Sequence, residues 1–197
     1  MTIILYYEFS SYKTFKDYYE KHVLINMKTD FNKLVSYTRF LELKNKAIIP
    51  LFLISRIHTL KECTGISFID SFSMAACNIR RELSNKVFRG WAKKGKTSMG
   101  WFYGLKLHTV INHRGEIIDF KITSGNISDN NKNVLLDLTK NVSGKLFGDK
   151  GYIVNSNLFK KLYRSGITLV TKVRKNMKNR FINAKDKFML KKSFRIC

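Results

Sequence analysis

The sequence predicts an α/β protein in which a mixed β-sheet has helices on its faces, and three observations support this fold class. Two adjacent segments, 101–112 and 115–125, alternate apolar and polar residues on either side of a turn, a pattern typical of an antiparallel hairpin. Short apolar runs further along the chain alternate with amphipathic stretches, which predicts parallel strands joined by crossover helices. The 44% hydrophobic and 26% charged residues are typical of a globular chain.

The first part of the chain, residues 1–62, predicts a small helical segment. It is rich in Tyr, Phe, Leu and Lys, and apolar residues between Phe31 and Leu41 approximate a helical stripe. We expect Pro50 to separate or kink two helices, because proline lacks the amide hydrogen that a helix interior requires. Residues 63–197 then form one domain, in which the pattern of the sequence changes from Gly65 onward.

The elements of that second domain follow from local patterns. "GISFID" is a short apolar run that predicts a buried strand ending in an acid, and the hairpin comes next. The stretch 128–141 begins with capping residues and predicts a helix, whereas "KLFGD" predicts a fourth strand. The stretch 155–166 has apolar residues at helical spacing and ends in a glycine, which predicts a second helix. Residues 167–174 predict a fifth strand.

This order of elements is a three-strand antiparallel meander followed by helix, strand, helix, strand, and it matches the RNase H-like fold. In that topology the first and fourth strands lie side by side in parallel. Asp70 and Asp149 would then emerge from one edge of the sheet, with their backbones roughly 5 Å apart.

Two carboxylates in such a position repel each other, by on the order of 4 kcal/mol at about 4 Å and an effective dielectric constant near 20. A divalent metal removes this conflict, and Mg²⁺ prefers oxygen ligands together with substrate phosphates. The chemistry that needs this pairing is metal-assisted phosphoryl transfer. The alternative is structural, with Asp149 as a turn residue before Gly151 and Asp70 as a cap.

The charge balance indicates a polyanionic partner. The chain has 37 Lys and Arg against 14 Asp and Glu, a formal net charge of +23, and nucleic acid is the commonest polyanion. A lysine-rich surface without a ligand is the open alternative. Three cysteines without metal-ligand spacing, no apolar stretch long enough to span a bilayer, and no convincing signal peptide favour a cytoplasmic protein.

Two basic regions flank the proposed acidic edge, and we expect them to bind DNA phosphates. "GWAKKGKT" satisfies the phosphate-loop pattern at Gly90, Gly95, Lys96 and Thr97, but a strand-like segment follows where that motif needs a helix. We therefore interpret it as a flexible basic loop. The predicted DNA-binding residues are Arg81, Lys93, Lys94, Lys96, Lys172, Arg174, Lys175 and Lys178. His58, His108 and His113 lack metal-ligand spacing, which favours structural roles.

Several linked blocks of the sequence carry a family resemblance. "ISFIDS", "GWAKKGKTSMGWFYGLKLHTVIN", "GEIIDFKITSGNISD", "GKLFGDKGY" and "LVTKVRKNMKN" together resemble bacterial insertion-sequence transposases of the DDE type, most like the insertion-sequence family numbered 982. The resemblance runs from about Cys63 to the lysine-rich tail. It implies an RNase H-like enzyme that cuts and rejoins the ends of its own mobile DNA element with Mg²⁺ or Mn²⁺.

Position by position, the resemblance implies that Asp70 and Asp149 are the first two catalytic, metal-binding aspartates. Asp129 matches the aspartate of a "GNxxD" block, for which we expect a structural role as helix cap. The third acid of the family is a glutamate on a helix after the fifth strand, and it is missing here. Asp186 lies in the basic tail ahead of that helix. We therefore expect a truncated copy, without the C-terminal part of the fold, that joins strands poorly.

Four functional hypotheses remain open from the sequence. The first is a DNA transposase acting on insertion-sequence ends and target DNA in the nucleoid of a bacterium. The second is a catalytically inactive DNA-binding remnant, the third a phosphate-loop NTPase, and the fourth a general RNA-binding protein. Transposases generally assemble as multimers on paired ends, so homo-oligomerisation on DNA is also an open expectation, and no membrane partner is expected.

Overall fold

The computed structural model describes residues 1–54, 56–57, 60–86, 88–98, 100–173 and 182–192. The chain divides into two compact units, Met1–His58 and Thr59–Cys197. Each unit has its own hydrophobic core among the described residues. The predicted DNA-binding residues Arg174, Lys175 and Lys178 lie outside the described part of the chain.

The first unit is a small helical cluster built on aromatic side chains. Its helices are α1 (Thr2–Glu8), α2 (Phe15–Tyr18), a π-helical turn (Tyr19–Val23), α3 (Leu24–Asn26) and α4 (Tyr37–Ile54). Tyr18 and Tyr19 are fully buried, and the Tyr19 hydroxyl donates a hydrogen bond of 2.7 Å to the carbonyl oxygen of Val35. The Tyr19 ring also packs 4.7 Å from that of Phe40, which ties α4 to the rest of the unit.

The second unit contains a six-stranded mixed sheet. The strands are β1 (Ile66–Cys77), β2 (Lys93–Thr97), β3 (Gly100–Asn112), β4 (Ile117–Ser124), β5 (Gly144–Gly148) and β6 (Ile167–Thr171). Their order is β2-β3-β1-β5-β6, and β4 also pairs with β3. Strands β1, β2 and β4 are antiparallel to β3, whereas β5 is parallel to both β1 and β6.

Helices pack on both faces of this sheet. The larger core contains Ile69, Val110 and Leu146 together with residues of α5 (Lys132–Leu138) and α6 (Ser156–Arg164). On the opposite face, Phe68 and Phe147 pack with Leu190 of α7 (Ala184–Lys192). Because side chains alternate along a strand, consecutive residues of β1 and β5 enter these two cores in turn. Two short 3₁₀ turns, Ile79–Arg81 and Lys150–Tyr152, complete the elements.

The predicted mixed sheet with flanking helices is confirmed, and the five predicted strands correspond to β1, β3, β4, β5 and β6. The prediction of a flexible loop over 90–97 was wrong, because Lys93–Thr97 forms β2 and pairs with β3. Pro50 does not separate two helices but lies inside α4. The stripe from Phe31 to Leu41 is helical only from Tyr37 onward. Finally, Asp186, which the sequence placed in the basic tail, lies in the first turn of α7.

Candidate active site

Asp70 and Asp149 follow the last paired residues of the parallel β1–β5 ladder. Ile69 is the register partner of Gly148, and each aspartate is the next residue of its own strand. Adjacent parallel strands lie about 4.8 Å apart, so the two aspartate backbones are neighbours. The sequence had predicted that Asp70 ends its strand. This was wrong, because β1 continues through Cys77 beside β3.

The two aspartates are directed toward the same face of the sheet. Phe68 and Phe147, two residues before them, are both in the core beneath α7, and side chains two residues apart share a face. Asp149 keeps an extended backbone with φ −75° and ψ −172°. Alternation within β1 therefore directs Asp70 to the α7 face, and for Asp149, the first residue after β5, the same alternation predicts the same direction.

Backbone amides hold one oxygen of each carboxylate. Asp70 Oδ1 accepts a hydrogen bond of 2.8 Å from the amide of Ser71. Asp149 Oδ1 accepts one of 2.7 Å from the amide of Gly151, at the start of the Lys150–Tyr152 turn. The turn role that the sequence offered as an alternative for Asp149 is therefore present, and it orients the carboxylate without excluding a metal role.

A third aspartate, Asp129, lies beneath this edge. Its Oδ1 accepts a hydrogen bond of 2.8 Å from the Ser71 hydroxyl and forms an ion pair of 3.0 Å with Lys106 Nζ. A Cβ placed on Gly151 would lie 3.0 Å from Asp129 Oδ2 and 2.9 Å from Asp149 Oδ1. Asp129 thus contacts the residue after Asp70 and approaches the loop that holds Asp149.

The expected capping role of Asp129 was wrong. The residue at the N-cap of α5 is Asn131, whose side chain accepts hydrogen bonds from the amides of Asn133 and Val134. Asp129 lies in the loop that precedes this cap. Its partners are on β1 and β3, so it joins strands where we had expected it to begin a helix.

Two buried polar side chains lie close to Asp129. The Tyr152 hydroxyl is buried without a hydrogen-bond partner among the described residues. Burial raises the pKa of Tyr152, and the carboxylates of Asp129, Asp70 and Asp149 raise it further, against the opposing effect of the nearby Ser71 hydroxyl. All three aspartates therefore lie within electrostatic range of one phenol.

His108 is the second of these residues. It is fully buried in β3, and its Nε2 lies 2.9 Å from the Thr123 hydroxyl. Burial lowers the pKa of His108, while Asp129 raises it and Lys106 and Lys121 lower it. A neutral imidazole packed between strands agrees with the structural role that its place in a predicted strand indicated.

The donor chemistry at the Asp70 and Asp149 edge fits a divalent ion such as Mg²⁺ or Mn²⁺, because carboxylate oxygens are the ligands that hard cations prefer. Among the described residues, no group of three or more His, Cys, Asp or Glu side chains has the arrangement of a metal site. Asp186 does not supply a third ligand, since it forms an ion pair of 2.7 Å with Lys145 near the opposite end of β5.

The structure divides the predicted DNA-binding residues between surfaces. Lys94 is opposite Tyr103, and Lys96 is opposite Trp101, so these two lysines share one face of the hairpin. Lys93 is one position away, and strand alternation directs it to the other face. Arg81 is exposed at the end of its 3₁₀ turn, and Lys172 is half-buried just after β6.

The sequence interpretation missed Ser71, Lys106 and Tyr152. Lys106 and His108 share a face of β3 with the fully buried Val110, so polar residues on the apolar face of a predicted strand were the available indication. Ser71 and Tyr152 had no comparable pattern. Ser71 lies on β1 and Tyr152 lies in the turn after β5. These segments come close to Asp129 only in the folded unit.

None of the described helices is both long enough and apolar enough to cross a membrane. Comparison with known proteins gives one match, to a family model described as the transposase DDE domain, over residues 60–197. No curated protein and no solved structure matches the chain. The family model covers well over half of the chain and includes both Asp70 and Asp149, so this protein belongs to the family of DDE-domain transposases.

Proposed function

We propose that this chain is the transposase of a bacterial insertion sequence, related to the family numbered 982, with an RNase H-like catalytic domain over residues 63–197 and a separate helical segment over residues 1–62. Its reaction would be cleavage of the element's ends and their transfer to target DNA, in the cytoplasm and in association with the nucleoid. The family itself implies DNA as the partner.

The observation that supports this proposal most directly is the register of β1 and β5. The pair Ile69 and Gly148 brings Asp70 and Asp149 together from 79 residues apart in the chain. The strand order β4-β3-β1-β5-β6, with β1 parallel to β5, is also the order expected of an RNase H-like sheet. A structural explanation for each aspartate alone does not account for their adjacency.

In this proposal Asp70 and Asp149 hold the divalent metal on which DDE transposases generally depend. The bound metal would supply charge neutralisation at the scissile phosphate and activation of the attacking oxygen. The chain's own contribution is to fix the two carboxylates, through the amides of Ser71 and Gly151. Lysines on the surrounding surface would bind DNA phosphates and position the strand.

The proposal is tested with Asp70→Asn and Asp149→Asn variants of the full chain. We expect each to abolish Mg²⁺-dependent or Mn²⁺-dependent cleavage of DNA carrying the element's ends, because amides are poor metal ligands. DNA affinity should be retained within about threefold, since loss of a carboxylate adds no unfavourable charge near phosphates. Electrophoresis of cleavage products and fluorescence anisotropy of labelled DNA measure the two quantities.

Asp186→Asn is the matched control, because its carboxylate pairs with Lys145 away from the proposed site. Its cleavage should equal that of the parent chain. Cleavage that survives in both Asp70→Asn and Asp149→Asn would contradict the assignment of these residues.

A second candidate function is a DNA-binding protein without catalysis. It is favoured by one observation: among the described residues, no group of three or more His, Cys, Asp or Glu side chains is arranged to hold a metal ion. DNA binding by the parent chain without any metal-dependent cleavage would support this candidate. Measurable cleavage that is lost on substitution of Asp70 would reject it.

A further inference from the structure

The β2–β3 hairpin carries an exposed tryptophan accompanied by two lysines. Trp101 is 58% exposed. The Nζ atoms of Lys94 and Lys96 lie 5.5 and 5.4 Å from the centroid of its ring. An aromatic ring this exposed buries little apolar area within its own chain, so its packing does not explain its position.

This cluster lies on the same face of the sheet as the candidate catalytic residue Asp70. Thr109 is opposite Asp70 in the β1–β3 ladder, and Trp101 is eight residues before Thr109 on the same strand. Because that separation is an even number, the two side chains share a face. At about 3.4 Å per residue, the distance along the strand is at most about 27 Å.

The surface between the two groups is open and apolar. Phe72 is 66% exposed and Ile122 is 52% exposed, and both are register partners of Leu107 on β3. On the same face of the sheet, helix α7 packs against Phe68 and Phe147, beyond Asp70. The face therefore runs from Asp70 across apolar side chains to an aromatic ring with two cations.

We propose that Trp101 is a stacking site for an unpaired base of a DNA strand whose adjacent phosphates are bound by Lys94 and Lys96. This deepens the proposed function and rests on it for the identity of the nucleic acid. Proteins that bind single strands combine aromatic stacking surfaces with nearby cations. In a duplex the bases cover one another, so a ring face can reach a base only where the strand is unpaired or at an end.

The contacts within the cluster are weak enough to be replaced. Stacking of a base on an aromatic ring is stronger than an exposed cation–π contact, so the lysines can leave the ring for phosphates. Lys94 also forms an ion pair with Glu82, but its length is 3.8 Å and the Lys94 side chain is 49% exposed. At this length the pair is not a hydrogen bond, so Lys94 gives up no hydrogen bond to Glu82 when it moves to a phosphate.

The test uses the fact that the chain has only two tryptophans. The Trp91→Phe variant leaves Trp101 as the only tryptophan emitter, and Trp101→Phe leaves Trp91, which is 74% exposed. Each variant is titrated with oligothymidine and with a blunt duplex of equal length, and tryptophan fluorescence is recorded. Anisotropy of the same DNA with a fluorescent label is measured in parallel.

We expect oligothymidine to quench Trp101 emission strongly and Trp91 emission much less. Trp101→Ala should weaken oligothymidine binding about tenfold, the effect of losing one stacked base. Trp91→Ala should change it less than twofold. Circular dichroism confirms that the variants remain folded.

Equal quenching of both tryptophans, quenching of Trp101 by the duplex alone, or unchanged oligothymidine affinity in Trp101→Ala would overturn the stacking site. If anisotropy shows DNA binding while Trp101 emission does not respond, the stacking proposal fails and the proposed function stands. If no variant and no parent chain binds either DNA, both proposals fail.

Discussion

At the scale of single residues, Asp129 connects the two halves of the candidate active site. It accepts hydrogen bonds from Ser71 and Lys106, and its second oxygen approaches the Gly151 position. Lys106 is 10% exposed as a side chain and Asp129 is 26% exposed, so this ion pair is shielded from water. A shielded ion pair is costly to break from one side, because the remaining charge loses its partner.

We therefore expect Asp129→Ala to lower the free energy of unfolding by about 2 kcal/mol, since it leaves the Lys106 ammonium and the Ser71 hydroxyl without their acceptor. Urea denaturation followed by circular dichroism measures the change. The matched control is Asp137→Ala, whose ion pairs with Lys121 and Lys140 are more exposed and should contribute less than about 1 kcal/mol. Equal losses in both variants would contradict the bracing role of Asp129.

At the scale of elements, β2 is a sheet edge held by close backbone contact. Its central residue, Gly95, is buried, and a Cβ placed there would lie 2.2 Å from the carbonyl oxygen of Gly125 and 2.7 Å from the ring of Phe102. The chain after β4 thus passes directly over β2. The sequence had predicted that this glycine lies in a flexible basic loop, whereas the structure requires glycine here because no side chain fits.

Gly95→Ala should accordingly destabilise the protein by about 2 kcal/mol, because the neighbouring atoms are backbone and must shift to admit a methyl group. Lys96→Ala, one position along on the exposed face, should change stability by less than about 0.5 kcal/mol. Both values come from urea denaturation of the full chain. If Gly95→Ala leaves the free energy of unfolding unchanged, β2 does not pack closely against Gly125 and β3.

At the scale of the whole molecule, the excess of positive charge makes stability sensitive to acid. Net charge is already +23 at pH 7, and protonation of further groups increases self-repulsion in the folded chain. His108 adds a specific contribution because burial keeps its pKa in the folded state below the ordinary value of 6.5. The unfolded chain then binds more protons than the folded chain as pH falls.

The stability that the lowered pKa of His108 contributes is fully present above pH 6.5. It is lost as the pH falls below that value toward the pKa of His108 in the folded state. Between pH 7.5 and 5.5, His108 should lower the free energy of unfolding by at most about 1.4 kcal/mol. We expect His108→Gln to show a flatter dependence of unfolding free energy on pH over this interval, measured by urea denaturation at each pH. Parallel curves for the two proteins would show that His108 already titrates normally.

The candidate site was partly predictable from the sequence. "GISFID" and "KLFGD" are apolar runs that each end in an acid, and strand order alone brought Asp70 and Asp149 to one edge, as the β1–β5 register places them. The role of Asp129 was not predictable in this way, because its partners Ser71 and Lys106 are 58 and 23 residues away in the chain. No local pattern reports such pairings.

What the sequence by itself determined were the features set by neighbouring residues: the alternation of β3 and β4, the helical spacing of α6 with its glycine stop, the excess of cations and the two acids that follow apolar runs. The tertiary structure alone decided that Lys93–Thr97 is a strand, that Lys94 and Lys96 share a face with Trp101, and that Asp129 braces the acidic edge. The physical reason is that five residues rich in lysine have little strand preference of their own. Pairing with β3 and the close approach of Gly125 supply the stabilisation that local sequence does not.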